Sequence, residues 1–92
     1  MIPALMESIK LSDVQAARRR IKSGIQLTQL MHSRSLSDWF GLDMFLKHEN
    51  EQRTGSFKIR GALNKIRSLS EEDLARGIVA SSAGNHAQGV AL

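Results

Sequence analysis

A lysine placed at the opening of a helix constrains this chain more than any other feature. Thr54-Gly55-Ser56-Phe57-Lys58-Ile59-Arg60-Gly61-Ala62 joins a glycine that permits a sharp turn, a serine suited to cap a helix, and a lysine behind an aromatic residue. The spacing predicts a helix over residues 56–68, with Ser56 as N-cap and Lys58 buried in the first turn as the second helical residue. A protonated lysine is a poor nucleophile. Burial, a neighbouring cation such as Arg60 and the partial positive charge of a helix start all favour the neutral amine. Phe57 and Ile59 supply apolar flanks, and Gly61 leaves room for another backbone or a flat ring. These residue types suit a lysine that forms a Schiff base with a carbonyl cofactor. The same segment also reads as an ordinary capped amphipathic helix with a solvated lysine.

The second constraint is Gly77-Ile78-Val79-Ala80-Ser81-Ser82, followed by Ala83-Gly84-Asn85. Apolar residues without alternation predict a short buried strand; a tight turn follows, and Asn85 to Leu92 opens a helix. Strand, turn and helix in that order aim unpaired backbone N–H groups at one point, which suits an anion. Ser82 adds a hydroxyl and Asn85 an amide. Alone, this is a common connector with a capping asparagine. Paired with the Lys58 segment, it reads as a carboxylate cradle beside an amine.

Elsewhere the pattern predicts helix 12–23, a strand near 26–31, helix 35–41 and a second strand over Asp43 to His48. A loop spans 49–55, and Ser70-Glu71-Glu72-Asp73 caps a short helix reaching Arg76. Ser12 with Gln15 reads as a capping box, ahead of an apolar stripe of Val14, Ala17 and Ile21. Alternating strands and helices indicate an α/β architecture with a largely parallel sheet.

Composition narrows the function classes. The formal charge is +4, with Arg18-Arg19-Arg20 and Lys22 clustered. Aromatic residues make up only 4% and none lies beside that cluster. The arginines fall opposite the apolar stripe and near the helix C-terminus, so a solvated face accounts for them and no nucleic-acid partner is expected. The competing reading is a non-catalytic basic α/β interaction fragment. The absence of cysteine removes a disulfide framework and thiolate metal sites, in keeping with a reducing compartment; a cytoplasmic location is expected. His32, His48 and His86 lie too far apart for a local metal motif. No apolar run approaches membrane-spanning length, and Met1-Ile2-Pro3-Ala4-Leu5-Met6 is short and uncharged for an export signal. No membrane partner is expected. With 92 residues, 41% of them hydrophobic, the chain can hold one small core that would be marginal alone.

The segment Leu46-Lys47-His48-Glu49-Asn50-Glu51-Gln52-Arg53-Thr54-Gly55-Ser56-Phe57-Lys58-Ile59-Arg60-Gly61-Ala62 resembles the cofactor-lysine signature of the threonine and serine dehydratases. These are pyridoxal-phosphate enzymes of the tryptophan-synthase-β-like fold, fold type II. Ser82-Ala83-Gly84-Asn85-His86-Ala87-Gln88-Gly89 is similar to the substrate loop of the same family, in the expected order. The resemblance covers nearly the whole chain, and the two motifs together are highly specific. It implies that Lys58 holds pyridoxal 5'-phosphate covalently, with Phe57 near the ring and Asn85 bonded to the cofactor's phenolic oxygen. Ser82, with the backbone N–H groups of Asn85 and His86, would hold the carboxylate of an amino-acid substrate. It further implies β-elimination of threonine, or of serine, to a 2-oxo acid and ammonia. Residues 1–69 would belong to the larger cofactor domain and 70–92 would open the smaller one, in a homo-oligomeric full-length enzyme.

Departures from the family pattern are informative. Serine racemases of the family usually carry a serine where this chain has Ala83, and alanine cannot move a proton. The sulfhydrylase relatives carry a Thr-Ser-Gly-Asn-Thr type of loop, which Ser-Ser-Ala-Gly-Asn-His does not match. Where the family usually has Thr-Pro-Leu, this chain reads Thr28-Gln29-Leu30. The seven glycines are scattered, and no run corresponds to the family's glycine-rich phosphate loop. The chain therefore reads as an N-terminal piece, expected to be inactive by itself.

Overall fold

In the computed structural model, residues 8–82 and 84–92 are described. Readings that rest on Met1 to Met6 and on Ala83 lie outside the described residues.

The first helix, α1, spans Leu11–Ile21. Its opening differs from the expected Ser12–Gln15 box: the Asp13 carboxylate accepts the Lys10 backbone N–H at 2.8 Å. A short acidic side chain three residues into the helix reaches back to that donor, and the dipole favours an anion there. Arg18, Arg19 and Arg20 occupy the last turn, as expected. Of the apolar stripe, Ile21 is buried while Val14 stays exposed.

Two strands follow, β1 (Leu30–His32) and β2 (Phe45–Lys47), with helix α2 (Arg34–Phe40) in the connection between them. Ser33 caps α2 by accepting the Leu36 N–H, and Gly41 ends it at φ 66°, a left-handed conformation that glycine adopts without strain. The strands pair antiparallel, with Met31 opposite Leu46 and His32 opposite Phe45. This is the only strand pairing among the described residues. The expected strand at 77–82 forms no ladder. Val79 is almost fully exposed, and an apolar run of that kind needs neighbouring strands to satisfy its backbone.

A single turn of 3₁₀ helix at Glu49–Glu51 leads to α3 (Lys58–Arg67), then α4 (Glu71–Ala75) and α5 (Asn85–Ala91). Ser70 caps α4 by accepting the Asp73 N–H at 3.1 Å, as its sequence predicts. Ser56 accepts the Lys58 N–H at 3.4 Å. Phe57, not Ser56, occupies the N-cap position and makes no side-chain cap bond, so Lys58 is the first residue of α3 and not the second.

The core forms where α3 meets α1 on one side and α5 on the other. Ile21, Ile59 and Ala62 are its buried apolar residues. α5 comes close because Gly89 has no side chain: a Cβ there would lie 3.2 Å from both the Ala62 Cβ and the Ile59 Cα. The close approach expected of Gly61 belongs instead to Gly89. Gly61 faces open space.

Candidate active site

Lys58 stands exposed at the start of α3. Its ammonium lies 5.3 Å from the centroid of the Phe57 ring, within cation–π range, and Phe57 is itself 59% exposed. The expected burial of Lys58 is not found. Neighbouring helical residues point about 100° apart, and α5 covers Ile59, which is 2% exposed, rather than the residue before it.

Ser82, Asn85 and His86 are also exposed. The Ser82 hydroxyl accepts the Gly84 N–H at 3.2 Å, which folds the turn and keeps that oxygen beside the start of α5. Gly84, not Asn85, occupies the cap position, so Asn85 is the first helical residue and its amide makes no cap bond. His86 borders a cavity of about 310 Å³ shared with Lys65, Ile66, Leu69 and Ile78. It therefore lies towards the far end of α3 from Lys58. The contact of Gly89 with Ile59 lays α5 across the first turn of α3, one residue from Lys58. The two motifs thus sit on packed helices, and among the described residues no hydrogen bond joins Lys58 to Ser82, Asn85 or His86.

The polar centre of the molecule lies just behind α3, and the sequence motifs did not single it out. Arg60 grips Glu49 with both arms, Nε to Oε2 at 3.0 Å and Nη2 to Oε1 at 2.7 Å. The Thr28 hydroxyl donates to Oε1 at 2.8 Å. The Glu49 side chain is 14% exposed and that of Arg60 33%. Hydrogen bonding from Arg60 holds the Glu49 carboxyl below its ordinary range; partial burial opposes this and the Thr28 hydroxyl reinforces it. Arg60 is raised by the same contact. The positive neighbour expected to act on Lys58 is thus neutralised by an acid.

Beside this pair, Gln52 binds both backbone groups of Gln26, at 3.1 and 2.7 Å, and Arg53 donates to the Gly24 carbonyl at 3.0 Å. Loop 48–55 is thereby tied to segment 24–28. A cavity of about 630 Å³ opens on the same side, bordered by Val14, Ile21, Leu27, Lys47, Glu49 and Arg60. Glu49 and Arg60 both stand inside the signature segment. Their pairing depends on how loop 48–55 folds back, which local spacing does not encode.

Two other chemistries are poorly served. Among the described residues no cluster of His, Cys, Asp and Glu could hold a metal ion. Ser37 and Asp43 both approach Nε2 of His32, at 3.0 and 3.4 Å. With both oxygens on one nitrogen, the imidazole cannot relay a proton between them.

Over residues 21–92 the chain matches the family of pyridoxal-phosphate dependent enzymes. It belongs to that family. Among curated relatives, it is 57% identical over 84 residues to the L-threonine ammonia-lyase of Thermotoga maritima, covering 91% of this chain and 21% of that enzyme. Maize serine racemase superposes with a TM-score of 0.82 at 38% identity, over 94% of this chain and 27% of that one. A T.th. threonine deaminase gives 0.75 at 47% identity, over 90% and 29%. The chain thus spans about a fifth to under a third of the relatives it matches.

The donor set fits the family's cofactor. Lys58 offers a reachable primary amine, Phe57 an aromatic face beside it, and Gly61, three residues along the same face of α3, leaves the adjoining space clear. Chemistry and access both suit a flat carbonyl compound.

Proposed function

We propose that this chain supplies the lysine-bearing segment of a pyridoxal-phosphate-dependent threonine ammonia-lyase. The observation that carries the reading is the exposed Lys58 amine at the opening of α3, 5.3 Å from the centroid of the Phe57 ring and with open space over Gly61 on the same face. The identity with the T. maritima ammonia-lyase supports the choice of substrate.

When bound, pyridoxal phosphate supplies a carbonyl that captures amines and a ring that draws electrons from the α-carbon. Lys58 would hold it covalently, and its amine, once free, would take the α-proton as general base. Ser82, with the N–H groups of Asn85 and His86, grips the substrate carboxylate, and Asn85 also bonds the cofactor's phenolic oxygen. Fixing the carboxylate fixes which bond at the α-carbon breaks. The β-hydroxyl leaves as water, and hydrolysis then yields one 2-oxo acid and one ammonia. Residues 1–69 form part of the larger cofactor domain and 70–92 open the smaller one. Segment 77–82 joins a parallel sheet built with chain beyond these residues, in a cytoplasmic homo-oligomer.

The test is the full-length protein with threonine: equal amounts of 2-oxobutanoate and ammonia are expected, falling to background in Lys58→Ala. Full activity in that variant would reject the lysine assignment. The likeness to maize serine racemase favours serine dehydration or racemisation as the second reading. Chiral analysis after incubation with L-serine decides it, since Ala83 has no proton to give and D-serine is not expected.

A further inference from the structure

We propose that Glu49 is a positioning residue for Lys58, acting through Arg60. The inference rests on the reading of Lys58 as the cofactor lysine and goes beyond it. Arg60 follows Lys58 by two residues within the first turn of α3. Its guanidinium is held in a two-point grip by a carboxylate that is itself fixed by Thr28. A fork-to-carboxylate contact sets direction as well as distance. The helix start is thus oriented from one side by this clamp and from the other by Gly89 on Ile59.

Among the described residues nothing comparable restrains Lys58 itself. Its side chain is exposed and touches the neighbouring Phe57, so the direction in which its amine leaves the helix is set by the backbone beneath it. Thr28 and Glu49 come from two segments that Gln52 and Arg53 tie together, which makes the clamp a rigid base. A lysine that must first capture a carbonyl and later reach an α-proton is sensitive to such orientation, and small misplacements cost rate steeply. Glu49 also offsets the charge of Arg60, two residues along the chain from Lys58.

The experiment uses the full-length protein stripped of cofactor. Pyridoxal phosphate is added, its capture is followed by visible absorbance, and the borohydride-reduced product is mapped by mass spectrometry. Steady-state kinetics with threonine are then expressed per loaded Lys58. Glu49→Gln is expected to retain attachment at Lys58 while slowing capture and kcat per loaded site by roughly tenfold, with KM changed less than about twofold. Arg60→Lys, which keeps the charge and loses the fork, falls between it and wild type. Thr28→Val removes one bond at nearly constant size and, as a milder variant expected to fold, shows the same pattern to a smaller degree. Capture rate and kcat per loaded site both within about twofold of wild type, with only the unfolding temperature lowered, would leave Glu49 a purely structural residue and overturn the proposal. Attachment that survives Lys58→Ala overturns the lysine assignment and this role together.

Discussion

Glu49 accepts hydrogen bonds from Arg60 and Thr28 while mostly shielded from water, and its acidity carries a consequence for stability. Its native carboxyl titrates below the ordinary range, chiefly because of Arg60. The unfolded chain therefore takes up a proton at higher pH than the folded one. The stabilisation is complete above the ordinary glutamate range and is lost as the pH falls through it towards the depressed native value. Glu49→Gln is expected to cost about 1–3 kcal/mol at neutral pH, because Arg60 loses its charged partner. The variant should also flatten the loss of stability as the pH falls through and below the ordinary glutamate range. Urea midpoints across that range check this, and parallel curves for variant and wild type would contradict it. The residues of this clamp were legible as types and not as partners. Lys58 was visible in sequence because its neighbours Gly55, Ser56 and Phe57 are local; Glu49 and Arg60 meet only once loop 48–55 has folded.

At the scale of elements, the two glycines of the helix pair behave in opposite ways. Gly89 lies against Ile59 and Ala62, whereas Gly61 meets nothing within 4 Å. Gly89→Ala would set a Cβ 3.2 Å from the Ile59 backbone, so the two helices must shift by a few tenths of an ångström, and it is expected to destabilise by about 1–3 kcal/mol. Gly61→Ala sits in an open helix interior and should stabilise by about 0.5–1 kcal/mol. Thermal unfolding of both variants distinguishes them; a stabilised Gly89→Ala would contradict the packing described. If the face of α3 beside Lys58 receives a flat cofactor, Gly61→Ala should also weaken cofactor retention despite its added stability, which dialysis against buffer measures. The helices were readable within one or two residues because capping and periodicity are local: Ser70 caps α4 as expected and α2 begins one residue early. Of the three expected strands, two form, β1 and β2, both shorter than expected, and the one at 77–82 does not; the pairing was not readable either. β1 and β2 are joined through α2 and pair antiparallel, and segment 77–82 has no partner strand among the described residues. Strand direction depends on neighbours that a local pattern does not contain.

The whole molecule is open for its length. Its radius of gyration is 16.6 Å, against about 12 Å for a compact chain of this size. Leu27, Trp39 and Val79 are 90%, 79% and 99% exposed, a distribution that belongs to a surface awaiting cover. The chain spans 21% of the length of the T. maritima ammonia-lyase it resembles. The isolated 92-residue chain is therefore expected to bind an apolar fluorescent dye strongly and to associate without limit on concentration, whereas the full-length protein should bind the dye weakly and form one oligomer of fixed size. Dye titration with sedimentation of both forms checks this, and a dye-silent monomeric fragment would contradict it. No helix of the described residues is long and apolar enough to cross a membrane.

Everything proposed about chemistry turns on which amine carries the cofactor. Borohydride reduction of the full-length protein with bound pyridoxal phosphate, followed by digestion and mass spectrometry, reads this directly. A pyridoxyl group is expected on Lys58 alone and absent from Lys58→Ala. The same group on another lysine, with Lys58 unmodified, would contradict the assignment.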